Sequence, residues 1–376
     1  NFGQRPFAYT PPTGFKKLNT FNLPDSTITD GSEYFNAAIW TGSGSARSID
    51  NTITAQDGTE TGKAFKFSPD LAWIKIRSQA YDHNLMDTIR GVDKQVRSNR
   101  TIAEVTNATL ITSFDSNGYS LGTGSDVNKS GDTFVGWNWR GSDSTAASND
   151  AGSITSTVSA NPTAGFSIAT YTEPSSGTYT VGHGLGVVPS MIILKPRSAA
   201  GENWIVYHKD LGSVPTTHGL YLNSTAAKFT TGSNWLTENT TARFGVTAGQ
   251  VTPGSTTMVA YSFAEVEGYS KIGTYTGNSS TDGPFIYTGF RPAFFMFRST
   301  ILSHWVILDT ARNSFNVAEN TLYPDESTEE LSSASVLISK VDFLSNGIKW
   351  RNTLANESNV SGQTYVYMAF AENPFK

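Results

Sequence analysis

One phrase occurs three times along the chain, and it constrains the fold more than any other feature of the sequence. It reads DTFVGWNWR at residues 132–140, TTMVAYSFAE at 256–265 and TYVYMAFAE at 364–372. In the last copy Tyr365, Tyr367 and Ala369 alternate with Val366, Met368 and Phe370, and both alternating sets are apolar. A period of two with two apolar faces predicts a strand buried on both sides, at the centre of a sandwich. Three copies of one closing strand predict three copies of one domain.

The remaining segments align in the same order. Each copy opens with a strand that ends in an aromatic residue and Thr: Trp40-Thr41, Tyr171-Thr172 and Tyr275-Thr276. Pro69, Pro189 and Pro292 then each start a strand, a position where a missing ladder donor costs nothing. A further strand begins at His83, Trp204 and Trp305. Copies one and three share a hairpin signal, Asn117-Gly118 and Asn346-Gly347, because both residues of such a turn can take positive φ. Copy two has ENTTARFGV there and needs a differently built turn.

The expected fold is therefore all-β: three tandem antiparallel β-sandwiches, jelly-roll-like and about a hundred residues each, which suits a self-contained domain. Repeat one is placed at 33–140, repeat two at 165–267 and repeat three at 268–376, with repeats two and three forming a rigid unit. Residues 141–164 are expected to be a linker, with Ile154 and Val158 on one face of a possible strand. Residues 1–32 are expected to be an extended arm that begins as the last strand of an upstream domain. Phe15, Leu18, Phe21 and Leu23 would be its docking points. The best helical signal is residues 328–335, TEELSSAS.

Composition excludes several function classes. Charged residues are 16% of the chain, against about 25% in an average globular protein. The net charge of -5 is the opposite of a nucleic-acid footprint. No apolar run is long enough for a membrane-spanning helix, so no membrane insertion is expected. With no cysteine, neither disulfides nor thiolate metal sites can form.

The candidate chemistry is sparse. His183, His208 and His218 fall close together, but without helical spacing, and His208 aligns with Asp87 and Asp309 of the sister copies. A position that exchanges His for Asp within one fold reads as a polar strand end rather than a metal ligand. Asp87 and Asp309 each begin a D-T-x-R phrase, in which the Asp is expected to cap a turn or pair with its own Arg. Replacing either by Asn is then expected to cost about 1–2 kcal/mol. No catalytic residue, cofactor or metal is expected. The loops that differ most between copies, 43–62, 216–235 and 313–333, are where a binding surface would be diversified. Exposed aromatics beside polar groups are the chemistry of sugar contact, which singles out Asn234 and Trp235, and Tyr323 and Asp325.

GQRPFAYTPPTGFKKLNTFNLP (3–24), SPDLAWIKIRS (68–78), DTIRG (87–91) and SFDSNGYSLGTGSDVNKSGDTFVGWNW (113–139) resemble phage tail-fibre proteins of the marine and cyanobacterial type. Residues 164–198 fit the same pattern, and repeat three departs more. In that family the first phrase closes an upstream SPRY-like, concanavalin-type sandwich, and the later ones belong to a small β domain that often occurs in tandem. The resemblance implies a structural or receptor-binding part of a virion tail, assembled as a homotrimer with other tail proteins. It would contact a glycan or protein receptor on the host surface. A tailspike enzyme that degrades polysaccharide and a capsid decoration protein are the alternatives.

Overall fold

The computed structural model describes residues 9, 12–13, 26–50, 65–142, 144–332, 339–352 and 358–374. The expected arm (1–24, with Phe15, Leu18, Phe21 and Leu23) therefore lies almost wholly outside the described residues, as does most of the 43–62 loop.

The protein is nearly all β, with antiparallel strands in six sheets. Each repeat pairs a larger inner sheet with a three-stranded outer one. The closing strands Thr133–Trp139, Thr257–Phe263 and Thr364–Pro374 are each central. On one side each pairs with the opening strand of its repeat: Phe35–Thr41, Phe166–Thr172 and Ser270–Thr276. On the other side lie the Pro-associated strands Leu71–Ile76, Met191–Pro196 and Phe290–Ser299. The strands Asn84–Asp87, Ile205–His208 and Val306–Asp309 follow next.

Both faces of the closing strand are buried, but for a reason that the pattern alone does not reveal. In repeat one Phe134 points into the repeat's own sandwich, with Trp40, Ile74 and Tyr119. Val135, Trp137 and Trp139 point the other way, into a core shared by all three repeats. At its centre meet three equivalent rings, Trp139, Phe263 and Phe370, with centroids 5.7–6.1 Å apart. The repeats are thus arranged as a closed ring around one aromatic axis rather than as beads on a string.

The same backbone hydrogen bond recurs at each seam of this ring. The N–H of Glu104 donates to the Arg197 carbonyl, that of Lys228 to Thr300 and that of Glu330 to Arg77, each at 2.8 Å. These residues occupy equivalent positions, so repeat two meets one, repeat three meets two, and repeat one meets three through the same surfaces.

Three local expectations change. The stretch expected as a linker, 141–164, contributes the strands Ala147–Asn149 and Ser156–Asn161, which extend the inner sheet of repeat two beyond its opening strand. Val158 is buried and Ile154 packs against the same core. The expected helix is extended where it is described: Leu331 bridges to Thr321. Among the described residues the one short α-helix, Ser125–Asn128, lies instead in repeat one.

The Asn-Gly hairpins form, but Ser116-Asn117 and Ser345-Asn346 are the turn residues, since Asp115 pairs with Gly118 and Leu344 with Gly347. Glycine is needed after the turn because a Cβ there would collide with the carbonyl oxygen of Ile49 or Ile286 on the adjacent strand. In copy two the Thr240 hydroxyl accepts from the N–H groups of Ala242 and Arg243 and closes a longer turn.

Candidate functional site

Two seams carry buried Asp–Arg pairs. Asp87 Oδ2 accepts from Arg90 Nε at 2.5 Å and Oδ1 from the Arg90 N–H at 2.9 Å, so the carboxylate both pairs with its Arg and caps the turn. Asp309 does the same with Arg312, at 2.6 and 2.8 Å. All four side chains are fully buried.

A donor from the neighbouring repeat completes each pair: Tyr261 Oη to Asp87 Oδ2 at 2.8 Å, and Trp137 Nε1 to Asp309 Oδ2 at 2.9 Å. Glu104 then joins Arg90 to Arg197 of repeat two, and Glu330 joins Arg312 to Arg77 of repeat one. Burial alone would raise both glutamate pKa values, but the guanidinium groups hold them below the usual carboxylate range.

At the third seam the four positions change together. Asp, Arg, Glu and Arg become His208, Leu211, Lys228 and Thr300. His208 Nε2 reaches the Tyr367 carbonyl at 3.4 Å, while its Nδ1 accepts the Asp210 N–H at 3.2 Å. This seam is held instead by the buried Arg298, which donates to carbonyls of repeat two.

His208 is one of three acid-sensitive histidines, since burial also lowers the pKa values of His83 and His183. Burial brings the His208 pKa down to about 4, opposed by Asp210, the Tyr367 carbonyl and Glu265 and assisted by Lys209. Unfolding restores an ordinary value near 6.5, so the unfolded chain binds more protons between these limits. The stabilisation is complete above pH 6.5 and is lost as the pH falls toward 4, by about 3 kcal/mol in total. Urea midpoints measured across this window should fall with pH, and His208→Gln should make the fall shallower, with His83 and His183 leaving the remainder.

His183 and His208 are occupied at both ring nitrogens, and His218 Nδ1 meets the Thr230 hydroxyl. His183 Nδ1 accepts from the Leu185 N–H and its Nε2 meets the Thr240 carbonyl. His304, Asp325 and Glu326 bring one ligand atom each to within 4.8 Å of one another, a grouping the sequence reading did not single out. Both Asp325 oxygens are already used, Oδ1 by the Trp305 N–H at 2.9 Å and Oδ2 by His304 Nδ1 at 2.7 Å.

The sister copies make the same two bonds with other residues. Asn99 accepts from the His83 N–H and donates to Asp82, and Asn223 accepts from the Trp204 N–H and donates to Asn203. The group is a loop clamp built three times.

The candidate contact residues fare differently. Trp235 is fully buried in the sandwich core of repeat two, its Nε1 donating to the His218 carbonyl at 2.9 Å, so its ring cannot be displayed. Tyr323 is 7% exposed with its ring stacked on His304, and Asp325 belongs to the clamp. Only Asn234 is exposed.

One displayed aromatic, Phe315 at 83% exposure, lies in the copy-specific loop 313–333, and a displayed pair lies on a strand. Phe285–Tyr287 forms one edge of the outer sheet of repeat three. Ile286 points inward and is buried, whereas Phe285 and Tyr287 point outward at 45% and 61% exposure. Ile49 and Val181 take the inward position in the sister strands, but the residues flanking them are Ser48 and Asp50, and Thr180 and Gly182. The fold therefore does not require aromatic residues at these positions. The Phe285 ring lies over Gly347, and Lys349 and Asp342 continue the same cross-strand row. Lys349 pairs with Asp282 at 2.7 Å and Arg351 with Asp342 at 2.5 Å, which puts charged groups around the two rings.

The chain belongs to the family described as "Domain of unknown function (DUF7483)", whose model matches residues 30–374 and so spans all three repeats. No curated protein and no solved structure matches it.

Proposed function

We propose that this member of the DUF7483 family is a non-enzymatic, receptor-binding component of a phage tail fibre or tailspike, acting on the virion and contacting a host-surface glycan. The observation that carries the reading is the aromatic pair Phe285 and Tyr287, held outward where the sister repeats have Ser48 and Asp50, and Thr180 and Gly182. Flat apolar ring faces bordered by charged hydrogen-bonding groups suit a sugar, which has a C–H face and a hydroxyl edge.

The seams support the same reading. Their carboxylates are buried against arginines, as suits a rigid scaffold rather than acid–base chemistry. Because the ring closes within one chain, the homotrimer implied by the resemblance would be assembled through residues 1–24, and each site would gain from the presence of three copies.

The test is binding of the purified protein to host cells and to their isolated surface polysaccharide. Phe285→Ser with Tyr287→Asp, the residues of repeat one, should weaken binding at least about tenfold while leaving the melting temperature nearly unchanged. Unchanged binding would exclude this face.

A further inference from the structure

The three seams are equivalent, yet one of them is hollow. Between repeats two and one, Asp70 fills the space and accepts from the Thr88 hydroxyl, the Gly141 N–H and the Ser159 hydroxyl. Between repeats three and two, Lys209 and Lys271 converge on Glu265 at 3.7 and 2.8 Å. Between repeats one and three the position of Asp70 is held by Ala293 and that of Ile89 by Ala311, and a cavity of about 220 Å³ remains. Its floor is apolar, with Phe35 and the small side chains of Ala293 and Ala311. Its polar groups are Ser32, Asn36, Arg291, Thr310 and the exposed Ser314.

We propose that this seam cavity is a binding site for one sugar unit. Its size is roughly that of a single pyranose, far below the few hundred to a thousand Å³ of pockets that hold larger ligands. Its chemistry matches as well: an apolar floor for the C–H face, with amide and hydroxyl groups for the ring hydroxyls. The shape arises because small residues stand where the other seams carry side chains that close them. This inference rests on the glycan-binding reading and adds a second site to it, remote in sequence from Phe285 and Tyr287.

The experiment uses the intact chain with a panel of free hexoses and N-acetylhexosamines, read by saturation-transfer NMR. Ala293→Asp and Ala311→Ile restore the residues of repeat one and fill the cavity without touching the outer sheet. At least one free sugar should give a transfer signal with the wild-type chain. Either substitution should abolish the signal, and Phe285→Ser with Tyr287→Asp should leave it in place. Absence of a signal from every sugar, or a signal that survives both cavity-filling variants, would overturn the site. A cavity without sugar binding, together with loss of polysaccharide binding in the outer-sheet variant, would reject this inference and leave the proposed function standing.

Discussion

Asp309→Asn is expected to destabilise the protein by about 3–5 kcal/mol, well beyond the 1–2 kcal/mol that a lost surface hydrogen bond would cost. The larger figure follows from burial: Asp309 and Arg312 have fully buried side chains, and removing one charge leaves the other buried with less compensation. The substitution also turns an amide NH₂ toward two donors, Arg312 Nε and Trp137 Nε1. Trp137 comes from repeat one, so the damage extends to a seam as well as to repeat three. Asp87→Asn should behave alike, because Arg90 and Tyr261 surround it in the same way. Guanidinium unfolding of each variant gives the comparison, and a loss under 1 kcal/mol would refute the buried-network account.

Arg298→Met is the second large effect, expected at about 4 kcal/mol or more. Arg298 is fully buried and donates to the carbonyls of Tyr221, Ser224, Thr225 and Ala226 across the seam, as well as to Ser299 and Ile301. Each buried acceptor left without a partner costs about 1–3 kcal/mol. The equivalent residues provide an internal control. Lys75 donates to the carbonyls of Ile76 and Gln79, and Lys195 to that of Glu202, all within their own repeats. Burial brings these amines down to about 7 and about 8. Lys75→Met should therefore cost clearly less than Arg298→Met, since it strands two carbonyls of its own repeat rather than six, four of them across a seam. Equal losses at 75 and 298 would remove the special role assigned to the third seam.

Much of the fold can be read from the sequence because strands carry their burial in a period of two. The phrases ending at Trp139, Phe263 and Phe370 identify three central strands and the all-β class. The same phrases leave the ring hidden, since an apolar face looks alike whether it meets its own outer sheet or two sister repeats. A signal for the ring was present in the coupled exchange of Asp87, Arg90, Glu104 and Arg197 for His208, Leu211, Lys228 and Thr300. D-T-x-R was visible as a repeat, but Glu104 and Glu330 lie far from it in sequence, and only the fold brings them together.

The candidate site was less legible. Trp235 stands in a loop of its own repeat, but its indole is large enough to complete a core, and burial prevailed. Phe285 and Tyr287 lie on a short strand whose alternation does not by itself distinguish a displayed aromatic from a core one. The usable signal was the comparison with the sister strands, Ile286 inward at a shared position with its neighbours free to vary.

The ring is tested most directly by amide hydrogen exchange on the intact Asp309→Asn chain, followed at the three closing strands. If the repeats share one core, protection at Thr133–Trp139 and Thr257–Phe263 should fall along with that at residues 364–371, each by about 10²- to 10³-fold. Loss of protection confined to residues 364–371, with the other two strands unchanged, would show three independent sandwiches and contradict the ring.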